Sequence, residues 1–207
     1  MYQHVIKRIL DLLVAAITLL LGAIPLLVVA LIVKLDSPGP VLFKQKRIGR
    51  GKKTFTMLKF RSMPISVPKD TPTHLLTEAA PLTKWQRFMR RASIDELPQL
   101  FNILAGHMSL IGPRPALWNQ EDLIAARDAH GANDVRPGLT GLAQISGRDE
   151  VSISEKARLD GVYAQALKQG GFHGLSMDIR CFFATFSVVL RGSGVQEGGA
   201  TEDGRHE

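Results

Sequence analysis

Two adjacent carboxylates, Asp95 and Glu96, follow a basic pair, Arg90-Arg91, and precede an apolar helical pattern. Ser93 with Glu96 three residues later has the form of a capping box, which predicts a helix that begins near Ser93 with both acids in its first turn. Pro98 leaves undecided whether the N-cap is Ser93 or one of the next two residues. Proline has no N–H, so a helix tolerates it only in the first turn, where the N–H groups lack a helical partner. The positive end of a helix attracts phosphate and favours ionised acids, so the pair suits a nucleophile or metal ligand. Helix capping alone is the alternative.

Composition and charge limit the classes of protein to which the chain can belong. With 207 residues and 45% hydrophobic content, it can bury about one domain's core once a membrane segment is subtracted. The net charge of +7 implies an anionic partner, such as nucleic acid, an acidic membrane surface or a phosphorylated substrate. The one cysteine, Cys181, lies in an apolar run, which predicts a buried thiol in a reducing, cytoplasmic setting. The histidines show no metal-ligand spacing, so a structural zinc site is not expected.

The N-terminal segment predicts insertion into a membrane. Residues 9–33 are almost all apolar, and their number suffices for a span of about 20 residues. Lys7 and Arg8 precede the apolar run and a larger group of basic residues follows it, so the positive-inside rule places both ends in the cytoplasm. Pro25 lies in the middle, where it removes a helical hydrogen bond. We therefore expect residues 1–36 to form a re-entrant membrane helix that breaks at Pro25; a kinked single span is the alternative.

Beyond that segment the pattern predicts a small α+β domain, mostly helical, over residues 37–190, followed by a mobile tail at 191–207. Two short strands are expected at 41–43 and 54–58, joined by a basic turn. Acidic lipid headgroups are a better partner for this turn than nucleic acid, because no nucleic-acid-binding module is recognisable. A proline-rich loop is expected at 64–81. Helices are expected at 82–91, 118–130, 152–169 and 175–190, and an apolar strand is expected after Gly141.

Several cations lie where the backbone is constrained. Lys59 and Arg61 flank an aromatic residue at the end of the second strand, and they would form a phosphate clamp only if a second cationic group converges on them. Arg114 lies between two prolines, which exclude a helix and hold the backbone rigid. Such a rigid backbone suits a guanidinium that is held in position for a ligand better than a solvated surface charge. Arg148 follows a glycine-rich stretch that could approach a phosphate.

Several motifs occur in order along the chain and resemble a known family when they are taken together. They are the apolar N-terminus with its central proline, Ser37-Pro38-Gly39-Pro40-Val41, Lys59-Phe60-Arg61-Ser62-Met63, Ser93-Ile94-Asp95-Glu96-Leu97-Pro98-Gln99-Leu100, Met108-Ser109-Leu110-Ile111-Gly112-Pro113-Arg114-Pro115 and Arg136-Pro137-Gly138-Leu139-Thr140-Gly141. This set closely resembles the bacterial sugar transferase family, the monotopic phosphoglycosyl transferases, in its small catalytic-core form. The resemblance covers essentially the whole chain.

The resemblance implies transfer of a sugar 1-phosphate from a UDP-sugar to a polyprenyl phosphate, usually undecaprenyl phosphate, with release of UMP. It implies a site on the cytoplasmic face of the bacterial inner membrane, where glycoconjugate assembly begins, in contact with membrane lipid and not with nucleic acid. The family reaction is ping-pong and passes through a covalent phosphosugar on an aspartate, which by position is Asp95. Glu96 would act with Asp95 in holding Mg²⁺, which neutralises the diphosphate.

Further site residues follow from the same resemblance. Lys59, Arg90 and Arg114 match positions expected around the substrate phosphates, and Arg148 is a further candidate. Asp178 matches an acidic position of the family and is grouped with these residues. The chain departs from the family pattern at Ile24, where serine is usual before the proline, at His107, where aspartate is usual, and at Leu142, where tryptophan is frequent.

Two alternatives stay open at this point. The chain could be a non-catalytic, basic, membrane-anchored module that binds acidic lipid. Within the enzyme interpretation, the lipid phosphate could attack the UDP-sugar directly, with Asp95 serving only as a metal ligand. The sequence does not distinguish one UDP-sugar from another, and it leaves the oligomeric state open.

Overall fold

The computed structural model describes residues 2–68, 70, 82–147 and 151–191. Within them the chain is mostly helical with two small two-stranded sheets, which agrees with the predicted α+β class. The predicted tail and most of the proline-rich loop lie outside these residues. The helices are α1 (Lys7–Leu21, after a π-helical turn at Tyr2–Ile6), α2 (Ala23–Asp36), α3 (Lys84–Arg91), α4 (Gln99–Leu104), α5 (Glu121–Asp128), α6 (Leu142–Ile145), α7 (Ile153–Gln169) and α8 (Gly171–Arg191), and the strands are β1 (Leu42–Ile48), β2 (Thr54–Phe60), β3 (Ser109–Ile111) and β4 (Gly138–Thr140).

The α1–α2 pair is one apolar stretch that breaks at Gly22, where the helices bend by 67°. Pro25 is the third residue of α2, and it lacks the N–H that would bond the Leu21 carbonyl, so the chain is weakest in the turn before it. The break therefore lies on the N-terminal side of the predicted position. No single helix in the described ranges is long and apolar enough to cross a bilayer; the bent pair meets that test of length and composition only when both helices are taken together.

Polar contacts attach the first half of α1 to the rest of the domain. Asp11 accepts a hydrogen bond from the Ser109 hydroxyl at 2.6 Å and another from the Leu110 N–H at 3.1 Å, both in β3. Arg8 donates to the Ile103 carbonyl of α4 at 2.8 Å. The N-terminal end of the apolar pair thus belongs to the same packed unit as the strands.

The C-terminal end of α2 is attached to that unit as well. Arg61, which is 4% exposed, donates from Nη2 to the carbonyl oxygens of Val33 at 3.1 Å and Ser37 at 2.5 Å. Val33 is buried against Phe60 and Met89. One domain therefore holds both ends of the pair, while the bend between them is exposed. The side chains at the bend that are at least 70% exposed are Leu20, Leu21, Ile24 and Leu27.

The β1–β2 hairpin is fixed to α4, the helix that follows the two carboxylates. Its strands pair antiparallel along their full length and extend beyond the short strands predicted from the sequence. Asn102 of α4 accepts a hydrogen bond from the Leu58 N–H at 2.9 Å and donates to the Thr56 carbonyl at 2.8 Å. This double contact sets the position of Lys59 relative to the start of α4.

Three glycines let the parallel strands β3 and β4 meet closely. A Cβ on Gly138 would overlap backbone atoms of Gly112, and one on Gly141 would overlap the Gly112 carbonyl oxygen. The residues after Gly141 form α6 and not the predicted apolar strand. That prediction was wrong because a short buried apolar run has no period that separates a strand from a helical turn.

The helices predicted from the sequence are present with shifted ends. α3 and α5 are shorter than expected, and α3 begins with a capping box in which Thr83 and Gln86 bond each other's backbone. α8 begins at Gly171, four residues before the predicted start. It packs against α7. Cys181 of α8 is completely buried, as predicted. The outer face of α8 carries exposed aromatic side chains, namely Phe172, Phe183 and Phe186.

Substitution Gly138→Ala should destabilise the fold, because its methyl group would overlap backbone that has no room to move. We expect a loss of about 3 kcal/mol, the upper end for an overpacked core, or roughly 6–12 °C in melting temperature. Thermal unfolding in detergent measures it. Gly51→Ala is the control, because nothing lies within 4 Å of a Cβ there and only its left-handed backbone (φ 63°) opposes the change, at about 1 kcal/mol. Equal losses in the two variants would contradict the close contact between β3 and β4.

Candidate active site

The two carboxylates lie in a short turn between α3 and α4. Ser93 adopts the left-handed conformation (φ 56°, ψ 23°) at the end of α3, and its side chain caps no helix. The predicted capping box between Ser93 and Glu96 is therefore wrong. Ile94–Glu96 form a 3₁₀ turn, and α4 begins only at Gln99. Pro98 explains the late start, since it has no N–H to donate within a helix and is tolerated only at a helix start.

Asp95 is buried, with little to stabilise its charge. It is 5% exposed, and the Ser62 hydroxyl donates to its Oδ2 at 3.0 Å. Burial raises the pKa of Asp95 above the usual value for an aspartate; nearby Lys59 opposes the rise, and the charge of Glu96 adds to it. The fold therefore disfavours the ionised form of Asp95, which makes the carboxylate more basic than an exposed one.

Glu96 has the opposite environment, although it is the next residue. Its Oε1 accepts hydrogen bonds from Lys59 Nζ at 2.8 Å and from Arg114 Nη2 at 2.9 Å. Burial alone would raise the pKa of Glu96, but Arg114 and Lys59 outweigh burial and hold that pKa well below its usual range. Glu96 is thus an ionised partner of two cations.

The turn at 113–115 that presents Arg114 is bonded at each of its three carbonyl oxygens. The first accepts from the Gly138 N–H, the second from Arg127 Nη2 and the third from Arg47 Nη1, each at 2.9 Å. The rigid turn predicted from the two prolines is therefore present. Its backbone is fixed by β4, α5 and β1 together, which limits how far the Arg114 guanidinium can move.

Arg127 and Asp160 support this turn, and the sequence reasoning missed both. Arg127 donates to Asp160 Oδ2 from Nε at 2.8 Å and from Nη2 at 2.6 Å. The side chains are 7% and 1% exposed. Because Arg127 also holds the Arg114 carbonyl, the pair links α7 to the turn. One sequence signal could have found them. Arg127 lies on the same helical face as Leu123, and Asp160 lies on the same helical face as Leu167, so each charge stands where the helical period predicts an apolar residue.

A cavity of about 1000 Å³ contains the predicted residues that the structure brings together. Asp95, Glu96, Lys59, Arg90 and Arg114 all line it. Arg90 lies near enough to Asp95 to favour the ionised carboxylate. Arg90 and Arg114 thus lie with Lys59 at one cavity, whereas Arg61 Nη2 bonds the Val33 and Ser37 carbonyls. The phosphate clamp of Lys59 and Arg61 stays a prediction.

The same cavity extends to the apolar helices on either side of the carboxylates. Val14 and Thr18 of α1 line it, as do Phe182 and Phe186 of α8. Phe186 is 55% exposed and Val14 is 37% exposed. A ligand with both a charged and an apolar part could therefore reach the carboxylates and these helices at once.

Asp178 lies in a different cluster from the other predicted site residues. It accepts hydrogen bonds from the hydroxyls of Tyr2 at 2.6 Å and Tyr163 at 2.8 Å, and it pairs with Lys7 at 2.9 Å. Within the part of the chain that the structure describes, Asp178 does not line the cavity that contains Asp95. We therefore correct its grouping with the phosphate-binding residues: its contacts are those of an anchor between α8 and the N-terminal end of the chain. Arg148 lies outside the described residues.

The carboxylate pair fits a metal ion only together with other ligands. Among the described residues no group of three or more histidine, cysteine, aspartate or glutamate side chains could hold a metal. Mg²⁺ commonly binds through one or two carboxylates, with water and substrate phosphates as the remaining ligands. Asp95 and Glu96 meet that requirement, so the expected Mg²⁺ stays a prediction that the donor set allows.

Comparison with known proteins links the chain to one family. The family model described as Bacterial sugar transferase matches residues 2–192. The Bacillus subtilis protein named Uncharacterized sugar transferase EpsL is 37% identical, over 93% of this chain and 91% of its own length. The Exopolysaccharide production protein PSS of Rhizobium leguminosarum bv. phaseoli is 40% identical, over 92% and 98%. A UDP-glucose:undecaprenyl-phosphate glucose-1-phosphate transferase of Caulobacter vibrioides is 46% identical over 68% of this chain, which spans 54% of that protein.

The two carboxylates should respond in opposite ways to neutralisation. Asp95→Asn removes a charge that burial disfavours and keeps an acceptor for Ser62, so it should raise the melting temperature by about 2–4 °C, equivalent to ~1 kcal/mol. Glu96→Gln leaves Lys59 and Arg114 beside a neutral amide and should destabilise the protein by on the order of 3 kcal/mol. Thermal unfolding of the two variants in detergent at pH 7 measures both effects.

The stability differences between these two variants and the wild-type protein should both depend on pH. The folded pKa of Asp95 is raised, so its destabilising effect is full above that pKa and vanishes as the pH falls to the unfolded value of about 3.9. The folded pKa of Glu96 is depressed, so its stabilising effect is full above the unfolded value of about 4.3 and is lost as the pH falls below it. The gain in Asp95→Asn and the loss in Glu96→Gln should therefore both shrink in acid. Differences that stay constant with pH would contradict the assigned charge states.

Proposed function

Because this chain belongs to the bacterial sugar transferase family, we propose that it transfers a sugar 1-phosphate from a UDP-sugar to undecaprenyl phosphate and releases UMP. The observation that carries the proposal is the pair of adjacent carboxylates with opposite charge environments, in one cavity with Lys59, Arg90 and Arg114. The name of the Caulobacter relative makes UDP-glucose the first donor to test. The enzyme would then act at the start of a membrane-bound glycoconjugate pathway.

The environment of Asp95 suits a nucleophile. In the proposed first step a carboxylate oxygen of Asp95 attacks the sugar-proximal phosphorus of the UDP-sugar. A bond from that oxygen to phosphorus forms, the bond from phosphorus to the bridging oxygen breaks, and UMP leaves with the electron pair. In the second step an oxygen of undecaprenyl phosphate attacks the same phosphorus, which frees Asp95 as a carboxylate. Support comes from the raised pKa of Asp95, because a more basic carboxylate is a stronger nucleophile.

The cations suit the negative charge of the diphosphate. A carboxylate approaches a phosphoryl group only if the like charges are neutralised, and Lys59, Arg90 and Arg114 supply cations for that purpose. Glu96 holds two of them in place before substrate binds. Mg²⁺, held by Asp95 and Glu96 together with substrate oxygens, would supply further neutralisation of the diphosphate.

The apolar helix pair suits re-entrant insertion from the cytoplasmic face of the inner membrane. Both of its ends are bonded to one domain, through Asp11 and Arg61, so a helix pair that crosses the bilayer and leaves on the far side would have to give up one set of contacts. The exposed bend and the exposed aromatic face of α8 supply apolar surface for the lipid. In this arrangement the cavity lies at the membrane surface, where a soluble nucleotide sugar and a lipid phosphate can both reach it.

The reaction is tested by UMP release from the purified protein with Mg²⁺, undecaprenyl phosphate and a panel of UDP-sugars. We expect release with the wild-type protein and a loss of at least about 10³-fold in Asp95→Asn, because a nucleophile cannot be replaced by a neutral amide. Incubation with radiolabelled UDP-sugar in the absence of lipid should label Asp95. Release without any label on Asp95 would favour direct attack by the lipid phosphate, and no release from any donor would contradict the reaction itself.

The membrane arrangement is tested by cysteine labelling in intact and inverted vesicles. In a Cys181→Ala background, His4→Cys and Lys53→Cys should both react with a membrane-impermeant maleimide from the cytoplasmic side only, while Leu21→Cys at the bend should stay protected from both sides. Tyr2 is unsuitable as a labelling site because it is 4% exposed. Labelling of His4→Cys from the exterior would overturn the re-entrant arrangement in favour of a kinked span.

A further inference from the structure

Gln144 is a buried amide that lines the same cavity as the two carboxylates. The residue is 9% exposed, and neither Nε2 nor Oε1 has a hydrogen-bond partner among the residues that the structure describes. Buried polar groups are nearly always paired, because an unpaired donor or acceptor has lost its water without gaining a replacement. An unpaired amide among the residues that line a cavity is a candidate to bond a ligand that supplies both a donor and an acceptor.

The position of Gln144 is set by α6 and by the glycine before it. A Cβ on Gly141 would lie 3.0 Å from Gln144 Oε1, so the missing side chain leaves the amide its space. Leu142 and Ala143, the first two residues of α6, are buried at 5% and 6% exposure. The short helix is therefore held by its apolar residues, and the amide does not serve to attach it.

Asp160 also lines the cavity, and it carries a further unpaired acceptor. It lies on α7, the helix against which α6 packs. The Asp160 Oδ2 accepts hydrogen bonds from Arg127, while the Asp160 Oδ1 is buried and has no partner within the described residues. Among the described residues, Gln144 and Asp160 together thus add one unpaired donor group and two unpaired acceptors to the residues that line the cavity. Arg127 also bonds the Arg114 carbonyl, so Asp160 is connected to the turn that carries a phosphate-site cation.

The chemistry of the two proposed substrates limits what can fill this position. Phosphate oxygens only accept hydrogen bonds, so they would leave Gln144 Oε1 and Asp160 Oδ1 unpaired beside negative charge. A polyprenyl chain is apolar and would leave all three groups unpaired. Hydroxyl groups both donate and accept, and a UDP-sugar carries them on its hexose and on its ribose.

We propose that Gln144 binds hydroxyl groups of the UDP-sugar donor, and that the Asp160 Oδ1 is available to accept from the same part of the donor. This inference rests on the proposed function and adds a residue that helps to select the donor. Gln144 would act in binding and not in the transfer of phosphorus, so its loss should weaken affinity for the donor while the Asp95 chemistry stays intact.

The test is Gln144→Met, which keeps the length of the side chain and removes its polar atoms. Binding of UDP-glucose is measured by calorimetry in an Asp95→Asn background, so that no turnover occurs. We expect affinity to fall roughly 10- to 100-fold and the melting temperature without ligand to rise, because an unpaired buried amide is replaced by an apolar side chain. Gln165→Met on α7 is the matched control: its amide is exposed, and neither quantity should change.

Two nucleotides distinguish the source of the hydroxyls. If Gln144→Met weakens UDP-glucose binding and leaves UMP binding unchanged, the hydroxyls are those of the hexose. If it weakens UMP but not 2′,3′-dideoxy-UMP, they are those of the ribose. Equal weakening of UMP and its dideoxy form would assign Gln144 to the base and overturn the inference.

Other outcomes are equally decisive. A lower melting temperature of Gln144→Met would mean that the amide supports the fold, and it would overturn the inference. If the wild-type protein releases UMP, but Gln144→Met binds UDP-glucose as tightly as the protein with Gln144, this inference alone would be overturned. If the wild-type protein releases no UMP from any donor, the proposed function fails and the inference fails with it.

Discussion

Two neighbouring carboxylates cannot both carry charge in a buried site unless cations lie beside them. The domain places its close cations beside only one of the two carboxylates. Glu96 takes both close cations, Lys59 from β2 and Arg114 from the turn after β3. Asp95 keeps one hydroxyl donor and more distant charges. Adjacent residues of the same chemical type thus acquire different acidities, and that difference separates a partner for cations from a group suited to attack.

The position of Arg114 depends on residues from most of the domain. Its turn is bonded by β1, β4 and α5, and α5 is in turn paired with α7 through Asp160. The apolar N-terminal pair joins the same assembly, because Asp11 bonds β3 and Lys7 pairs with Asp178 of α8. The segment proposed to enter the membrane and the cavity with the carboxylates are therefore parts of one packed unit. A displacement of α1 would therefore move β3, the strand that leads into the Arg114 turn.

Local patterns in the sequence were sufficient to single out the two carboxylates and an apolar segment with two basic ends, and the family resemblance added the cations around the carboxylates. Predictions from these local patterns were wrong where a contact with a distant part of the chain determines the local structure. Ser93 has the spacing of a capping residue, but the end of α3 uses it in a left-handed conformation, and the actual capping box lies at Thr83. The partners of Asp178 come from the N-terminus and from α7, and Arg127 meets Asp160 across 33 residues. No local period encodes such pairings, because each depends on how the helices pack.

The burial of Asp95 affects the balance between the two halves of the proposed reaction. In the resting protein its charge lies in a site that disfavours it. In a phosphosugar adduct that oxygen is bonded to phosphorus, and the charge leaves for water with UMP. Formation of the adduct would relieve an unfavourable state, and transfer to the lipid would restore it. The feature that promotes the first half-reaction thus opposes the second, so the fraction of protein held as adduct would depend on how UMP and lipid phosphate compete for it.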